Sequence, residues 1–156
     1  MDWKFLLQQT VCGAIAAVGF GVLFNIAYGE LLWCGLTGAL ALFIRTICLG
    51  YGWSLEAASF LAALVVGVVV QVLRVRTDRS ENALDVAGCI PMVPGSFAAK
   101  AILGLFALTV PNPLGEDRTP TLVAAVENTL RVTFTVGAIG TGLAVPILLL
   151  RVRVRK

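Results

Sequence analysis

The sequence predicts an all-α integral membrane protein with five transmembrane helices, the fourth of which is interrupted. Of its 156 residues, 58% are hydrophobic and 13% are charged, and the mean hydropathy is +0.92. Soluble domains are about one quarter charged. Long apolar runs each supply the roughly 20 residues needed to cross about 30 Å of hydrocarbon. A Pro-x-x-Pro-Gly cluster lies within the fourth run.

The five spans are predicted to form a single domain over residues 1–156. The first apolar run has no basic segment before it and continues past its small-residue triplet, so we interpret it as a retained helix rather than a cleaved signal peptide. The connections "YGE" and "GYGWS" are short, which predicts that helices 1, 2 and 3 form antiparallel hairpins. The spans are placed at about 5–27, 31–49, 55–73, 84–109 and 121–150.

The distribution of lysine and arginine predicts the orientation. One side carries Lys4 and Arg118. The other side carries a larger group: Arg74, Arg76, Arg79, Arg151, Arg153, Arg155 and Lys156. The C-terminus is therefore predicted to be cytoplasmic and the N-terminus outside. Because these basic residues lie beside apolar runs, membrane topology explains the net charge of +3 better than nucleic-acid binding does.

The break in helix 4 contains Pro91, Pro94 and Gly95. Proline removes a backbone donor and clashes one turn back, so the freed carbonyls need cover from protein or water near the bilayer centre. One interpretation is a structural kink that lets a neighbouring helix pass. The other is a binding site: the helix resumes with Ser96 as its N-cap, and free amides with Lys100 one turn later would suit a carboxylate.

Three further polar residues stand within the predicted spans. A charge in a span costs at least roughly 2.5 kcal/mol on insertion scales, which makes it a functional candidate. Arg45 lies near the outer end of helix 2, where it could also extend to the interface. Asn25 and Asn128 are neutral amides, which more often form interhelical hydrogen bonds than bind ligands.

Glu127 and Arg131 are spaced i, i+4 on helix 5 and could pair with each other. Their depth is open, because the last span is longer than the hydrocarbon core, and tilt or a second break at 137–142 or Pro146 would decide it. In the deeper register they lie level with Lys100. Glu127 could then pair with that lysine or carry a coupling proton.

Small residues recur every four positions on two helices, a spacing that lets helices pack closely in lipid. They are Ser59, Ala63 and Gly67 on helix 3, and Thr133, Gly137 and Thr141 on helix 5. The four cysteines, Cys12, Cys34, Cys48 and Cys89, have no metal or redox spacing and are interpreted as buried apolar residues. Without histidine or a convincing pair of nucleophile and base, no enzyme activity and no cofactor are predicted.

These residues resemble the threonine/serine exporter family, and specifically its short, YjjB-like membrane subunit. The resemblance covers nearly the whole chain and is carried by "VGFGVLFNIA", "LWCGLTGALALFIR", "SFLAALVVG", "IPMVPG" and "ENTLRVTFTVGAIGTGLAVP". The element "IPMVPG" is the most specific of these. Lys100, Glu127 and Arg131 are not positions associated with the family.

The resemblance implies a secondary exporter in a bacterial inner membrane, built from two five-helix halves of which this chain is the second. Its companion would be another five-helix membrane subunit, and its substrate threonine, serine or a dicarboxylate such as succinate. A homo-oligomer and a purely structural subunit remain alternatives. The candidate substrate residues are Pro91, Pro94, Gly95, Ser96, Lys100, Asn25, Arg45, Asn128 and Arg131, with Glu127 as the candidate for proton coupling.

Overall fold

The computed structural model describes residues 3–77, 84–110 and 117–154, and every regular element in these ranges is helical, as predicted. Of the basic residues that predict the orientation, Arg79, Arg155 and Lys156 lie outside the described residues. The helices are α1 (Trp3–Leu23), α2 (Leu31–Gly50), α3 (Leu55–Thr77), α4 (Leu84–Cys89), α5 (Gly95–Thr109) and α6 (Thr119–Val154).

Four helices in the described ranges are long and apolar enough to cross a membrane, or five if α4 and α5 count as one interrupted span. This is the predicted fold class of an all-α membrane protein. The chain forms two compact units. Unit 1 comprises Met1–Met92 and Gly137–Lys156, and unit 2 comprises Val93–Val136.

Helix α1 ends at Leu23, earlier than predicted. Asn25 follows it in the left-handed region, at φ 55°, a conformation that asparagine tolerates better than most residues. Its amide donates to the Val22 carbonyl at 3.0 Å and the Ile26 amide donates to that of Gly21 at 3.0 Å. This is the hydrogen-bond pattern of a Schellman cap. Asn25 therefore caps α1 and does not lie within a span.

Glycines let α1 and α2 pack closely in unit 1. A Cβ at Gly21 would lie 3.1 Å from the Cys34 sulfur, and a Cβ at Gly38 would overlap the Ala17 Cβ and lie 2.7 Å from the Gly13 carbonyl oxygen. Gly13 lies against Gly38, and Gly21, later in α1, lies against Cys34, earlier in α2. The two helices are therefore antiparallel, as the short connection predicts.

Helices α2 and α4 run in the same direction. The Thr37 hydroxyl, which donates to the Cys34 carbonyl at 2.9 Å, lies 3.5 Å from the Leu84 carbonyl oxygen, and a Cβ added to Gly88 would lie 2.8 Å from the Thr37 Cβ. Further along both helices, Arg45 donates to the Met92 carbonyl. A five-span topology with α4 starting the fourth span requires this parallel arrangement.

Helices α3 and α6 also run in the same direction where they meet in unit 1. A Cβ on Gly142 would lie 2.7 Å from the Phe60 carbonyl oxygen and 2.9 Å from the Ala63 Cβ, and one on Gly67 would lie 3.0 Å from the Pro146 Cγ. The small residues of α3 thus pack against a helix, as predicted. On α6 the contact uses Gly142, whereas Thr133, Gly137 and Thr141 are exposed.

Helix α6 is continuous for 36 residues, through both Gly137 and Pro146, so neither suggested second break exists. Its length is roughly 54 Å. Just before it begins, the hydroxyl and the amide of Thr119 both donate to the Asp117 carboxylate, at 2.6 and 2.9 Å. These hydrogen bonds lower the pKa of Asp117, because they stabilise the ionised form.

Three of the four cysteines are buried in unit 1, as predicted: Cys34, Cys48 and Cys89. Cys12 is exposed on α1, so the prediction that it is buried is wrong. Its neighbour Gly13 takes the position that faces α2, which directs the Cys12 side chain away from that contact. Cys12 therefore lies on a face of α1 that the described residues of this chain leave exposed.

Candidate functional site

The predicted interruption of the fourth span is confirmed. Helix α4 ends at Cys89, Ile90–Met92 forms one 3-10 turn, and α5 begins at Gly95. Pro91 lies inside the turn, and Pro94 is the N-cap residue of α5. Because proline has no amide and restricts the preceding residue to extended conformations, two prolines three positions apart prevent a continuous helix here.

The start of α5 differs from the prediction. Ser96 is not the N-cap: that position belongs to Pro94, and no side chain caps the helix. The Gly95 amide donates to the Val93 carbonyl at 2.8 Å, and the Phe97 amide donates to that of Pro94 at 3.1 Å. Two of the amides that were expected to be open to a ligand are thus engaged by the backbone. Ser96 itself is exposed.

Arg45 supplies the cover that the broken backbone needs in unit 1. Its Nη1 donates to the carbonyl of Met92, the last residue of the 3-10 turn, and Met92 is fully buried. Arg45 Nε is also buried, and it has no hydrogen-bond partner among the described residues. The guanidinium is therefore directed at the break and is not extended toward the interface, and one of its donors is buried there without a hydrogen-bond partner among the described residues.

Unit 2 places two candidate cations near one aromatic ring, and a third candidate, Glu127, pairs with one of them. Lys100 Nζ lies 5.9 Å from the centroid of the Phe97 ring, and Arg131 Cζ lies 5.7 Å from the same centroid. Arg131 also pairs with Glu127 at 3.0 Å, with side-chain exposures of 46% and 61%. Of the two pairings left open for Glu127, the structure has the one with Arg131.

The two candidate asparagines have separate local roles. Asn25 lies in the turn after α1, where it is exposed. Asn128 donates from its side-chain amide to the Ala124 carbonyl one turn back, at 2.7 Å. That bond stays within α6. In this structure the Asn128 amide therefore bonds within its own helix, whereas the sequence favoured a hydrogen bond to another helix.

A charged cluster in unit 1 was not predicted to be part of a site. Arg74, near the end of α3, lies 3.5 Å from the carboxylate of Asp85 in the first turn of α4. Glu30, just before α2, is also buried. The sequence did carry one usable signal, since Asp85 falls inside the predicted span 84–109 and intramembrane charges are functional candidates.

An all-α, multi-pass membrane protein with an interrupted helix and a cationic side chain at the interruption has the features of a secondary transporter. A family model described as "Threonine/Serine exporter, ThrE" matches residues 9–149. The chain belongs to the threonine/serine exporter family, which is a family of transporters rather than of enzymes. No solved structure matches it.

Proposed function

We propose that this chain is one subunit of a secondary exporter in a bacterial inner membrane, which moves small carboxylate-bearing metabolites by alternating access. The substrates would be threonine and serine, or a dicarboxylate such as succinate. The N-terminus would lie outside and the C-terminus in the cytoplasm, following the excess of arginine at one side. An ion gradient would drive export, since the sequence has no nucleotide-binding motif.

The observation that carries the proposal is the position of Arg45. A guanidinium binds carboxylates through paired N–H donors, and this one is held at the Met92 carbonyl with its Nε buried and without a hydrogen-bond partner among the described residues. A substrate carboxylate beside the 3-10 turn would satisfy that donor. The interrupted backbone, which is costly in hydrocarbon, would then be retained because it places an arginine next to the substrate.

Unit 2 contains two further cationic side chains whose charge would suit a carboxylate substrate. Lys100 and Arg131 both lie within 6 Å of the Phe97 ring, and Arg131 also pairs with the Glu127 carboxylate. Two cations near one ring would favour an anion. This supports a carboxylate substrate but does not choose between an amino acid and a dicarboxylate.

A companion subunit follows from the small number of spans. Five spans in 156 residues are few for enclosing a gated pathway, whereas two halves of inverted topology are a common transporter plan. An odd number of spans makes two consecutive halves face opposite ways. We therefore expect export to require coexpression with a second five-helix membrane protein of the same family.

The proposal is tested by removing the break. In cells that lack other exporters, Pro91→Ala combined with Pro94→Ala should reduce substrate efflux roughly tenfold or more, because a continuous helix would withdraw the Met92 carbonyl from Arg45. Pro120→Ala is the matched control, since Pro120 lies exposed in the first turn of α6, where proline is tolerated. Undiminished efflux from the double variant, at equal membrane levels, would contradict the proposal.

A cysteine probe separates transport from the alternative, a structural subunit whose partner holds the site. Ser96 is exposed, so Ser96→Cys should react with a maleimide once Cys12, the exposed native cysteine, is replaced by serine. Slower labelling in the presence of substrate would support binding in this chain. Unchanged labelling, together with loss of complex assembly in the proline variant, would favour the structural role.

A further inference from the structure

The ion pair between Arg74 and Asp85 joins two helices at one end of unit 1. The nearest oxygen and nitrogen are 3.5 Å apart, and the side chains are 17% and 4% exposed. Arg74 lies near the end of α3, and Asp85 lies in the first turn of α4. Neither residue belongs to the site at the break, and neither is needed to cap the carbonyl of Met92.

An apolar pocket lies directly beside this pair. Its enclosed volume is about 20 Å³, room for about one water molecule, within about 350 Å³ of empty space that includes its open mouth. Its wall includes Glu30 just before α2, Trp33 and Thr37 from α2, Val70 and Arg74 from α3, and Leu84 from α4. Val70 is 1% exposed. Any separation of α3 from α4 at the ion pair would therefore open a space bounded by three helices of unit 1.

Helix α4 is held to α2 at other points. Gly88 of α4 packs against Thr37, where an added Cβ would lie 2.8 Å from the Thr37 Cβ, and Arg45 donates to the Met92 carbonyl at the break. These two contacts hold the segment Leu84–Met92 against α2. The ion pair, in contrast, ties the same segment to α3. Breaking it would remove a charged contact between α3 and α4, and movement of α4 together with α2 would also require α2 to slide against α3, on which it packs.

Charged side chains at this contact, rather than apolar ones, also favour a contact that opens. A buried ion pair stabilises a closed contact no better than well-packed apolar side chains would. The two kinds of contact differ when water enters. Both charges of the ion pair then regain hydration, which stabilises the open state. An ion pair at the rim of an apolar pocket therefore suits an element with two discrete arrangements.

We propose that the Arg74–Asp85 pair is a gate, closed in this structure, which opens in each transport cycle to admit water and substrate to the pocket. This inference rests on the proposed function in one respect, that the chain takes part in moving a substrate. It adds two positioning residues that do not contact the substrate at the break. Their effect would be on access to the pathway.

The first test prevents opening. In a chain whose Cys12, Cys48 and Cys89 are replaced by serine, Arg74→Cys with Asp85→Cys is joined by a short, reducible thiol cross-linker. Efflux should fall on the order of tenfold and return after reduction. The control joins α1 to α2, which are not proposed to separate: Gly21→Cys places a Cβ 3.4 Å from that of Cys34, close to disulfide spacing. Because this contact is already tight, the reference is the same variant in its reduced form, and formation of the disulfide should cause no further loss of efflux. Full efflux from the cross-linked pair would overturn the gate.

The second test does not depend on export, so it decides the gate even if the cysteine pair is inactive. Val70→Cys is labelled with a water-soluble maleimide in membrane vesicles of both orientations, with Asp85 intact or changed to Asn. Removing the ion pair should raise the labelling rate on the order of tenfold, and exchanging the charges, Arg74→Asp with Asp85→Arg, should return it toward the original rate. Equal rates in all three proteins would overturn the gate while leaving the proposed site at Arg45 untouched.

Discussion

Arg45→Ala is expected to abolish most export while leaving the subunit in the membrane. The substitution removes the donor to the Met92 carbonyl and the buried Nε at the same time. A hydrogen bond to a charged group contributes roughly 1.5–3 kcal/mol, and every 1.4 kcal/mol corresponds to about a factor of ten. Efflux rates should therefore fall about ten- to a hundredfold.

Arg118→Ala is the matched control for this variant. Arg118 also donates from its guanidinium to backbone carbonyls, those of Leu108 and Val110, but it does so within unit 2, just before α6 begins. Its loss should affect stability without stopping export. Arg45→Lys should be intermediate, because lysine keeps the charge and loses the planar pair of donors. If Arg45→Ala kept more than half of the normal efflux at equal membrane levels, the proposed site would be excluded.

Gly38→Ala is expected to destabilise unit 1 by about 1–3 kcal/mol, the usual cost of overpacking a well-packed contact. The new Cβ would overlap that of Ala17 and would lie 2.7 Å from the Gly13 carbonyl oxygen. A backbone oxygen cannot change rotamer, so α1 and α2 would have to move apart. The midpoint of thermal unfolding in detergent should fall accordingly.

Gly140→Ala adds the same methyl group on α6 with nothing within 4 Å. Its free energy of unfolding should rise by up to about 1 kcal/mol, because alanine favours a helix over glycine, so its midpoint should not fall. Ala17→Gly should rescue Gly38→Ala in part, since it removes one of the two overlaps and leaves the Gly13 carbonyl. Identical midpoints for Gly38→Ala and Gly140→Ala would show that α1 and α2 do not pack through Gly38.

Hydropathy and helix breakers were sufficient to predict the spans, because backbone groups in hydrocarbon must form hydrogen bonds within their own segment. This constraint acts on each run separately, so it can be applied without knowing the neighbours. The end of α1 was predicted less well. The apolar residues continue to Ala27, whereas the helix stops at Leu23 because Asn25 adopts the left-handed conformation, a local choice that hydropathy does not detect.

The same limit applies to the candidate site. Pro91 and Pro94 identified the break because two prolines three positions apart remove two amide donors within about one turn, whereas the single Pro146 leaves α6 continuous. Whether Arg45 reaches the interface or the broken backbone depends on which helix lies beside α2, and this chain places α4 there. Ser96 was predicted as a cap from its side chain, but the backbone of Pro94 already accepts the first helical amides.

By itself, the sequence determined the class of protein, the number of apolar runs and the position of the break, since all three depend on the composition or covalent chemistry of a few consecutive residues. The tertiary structure decided which polar groups meet. Arg74 and Asp85 look like ordinary ends of two spans until α3 and α4 place them 3.5 Å apart. Contacts of this kind depend on the relative direction and registry of whole helices, which no local pattern encodes.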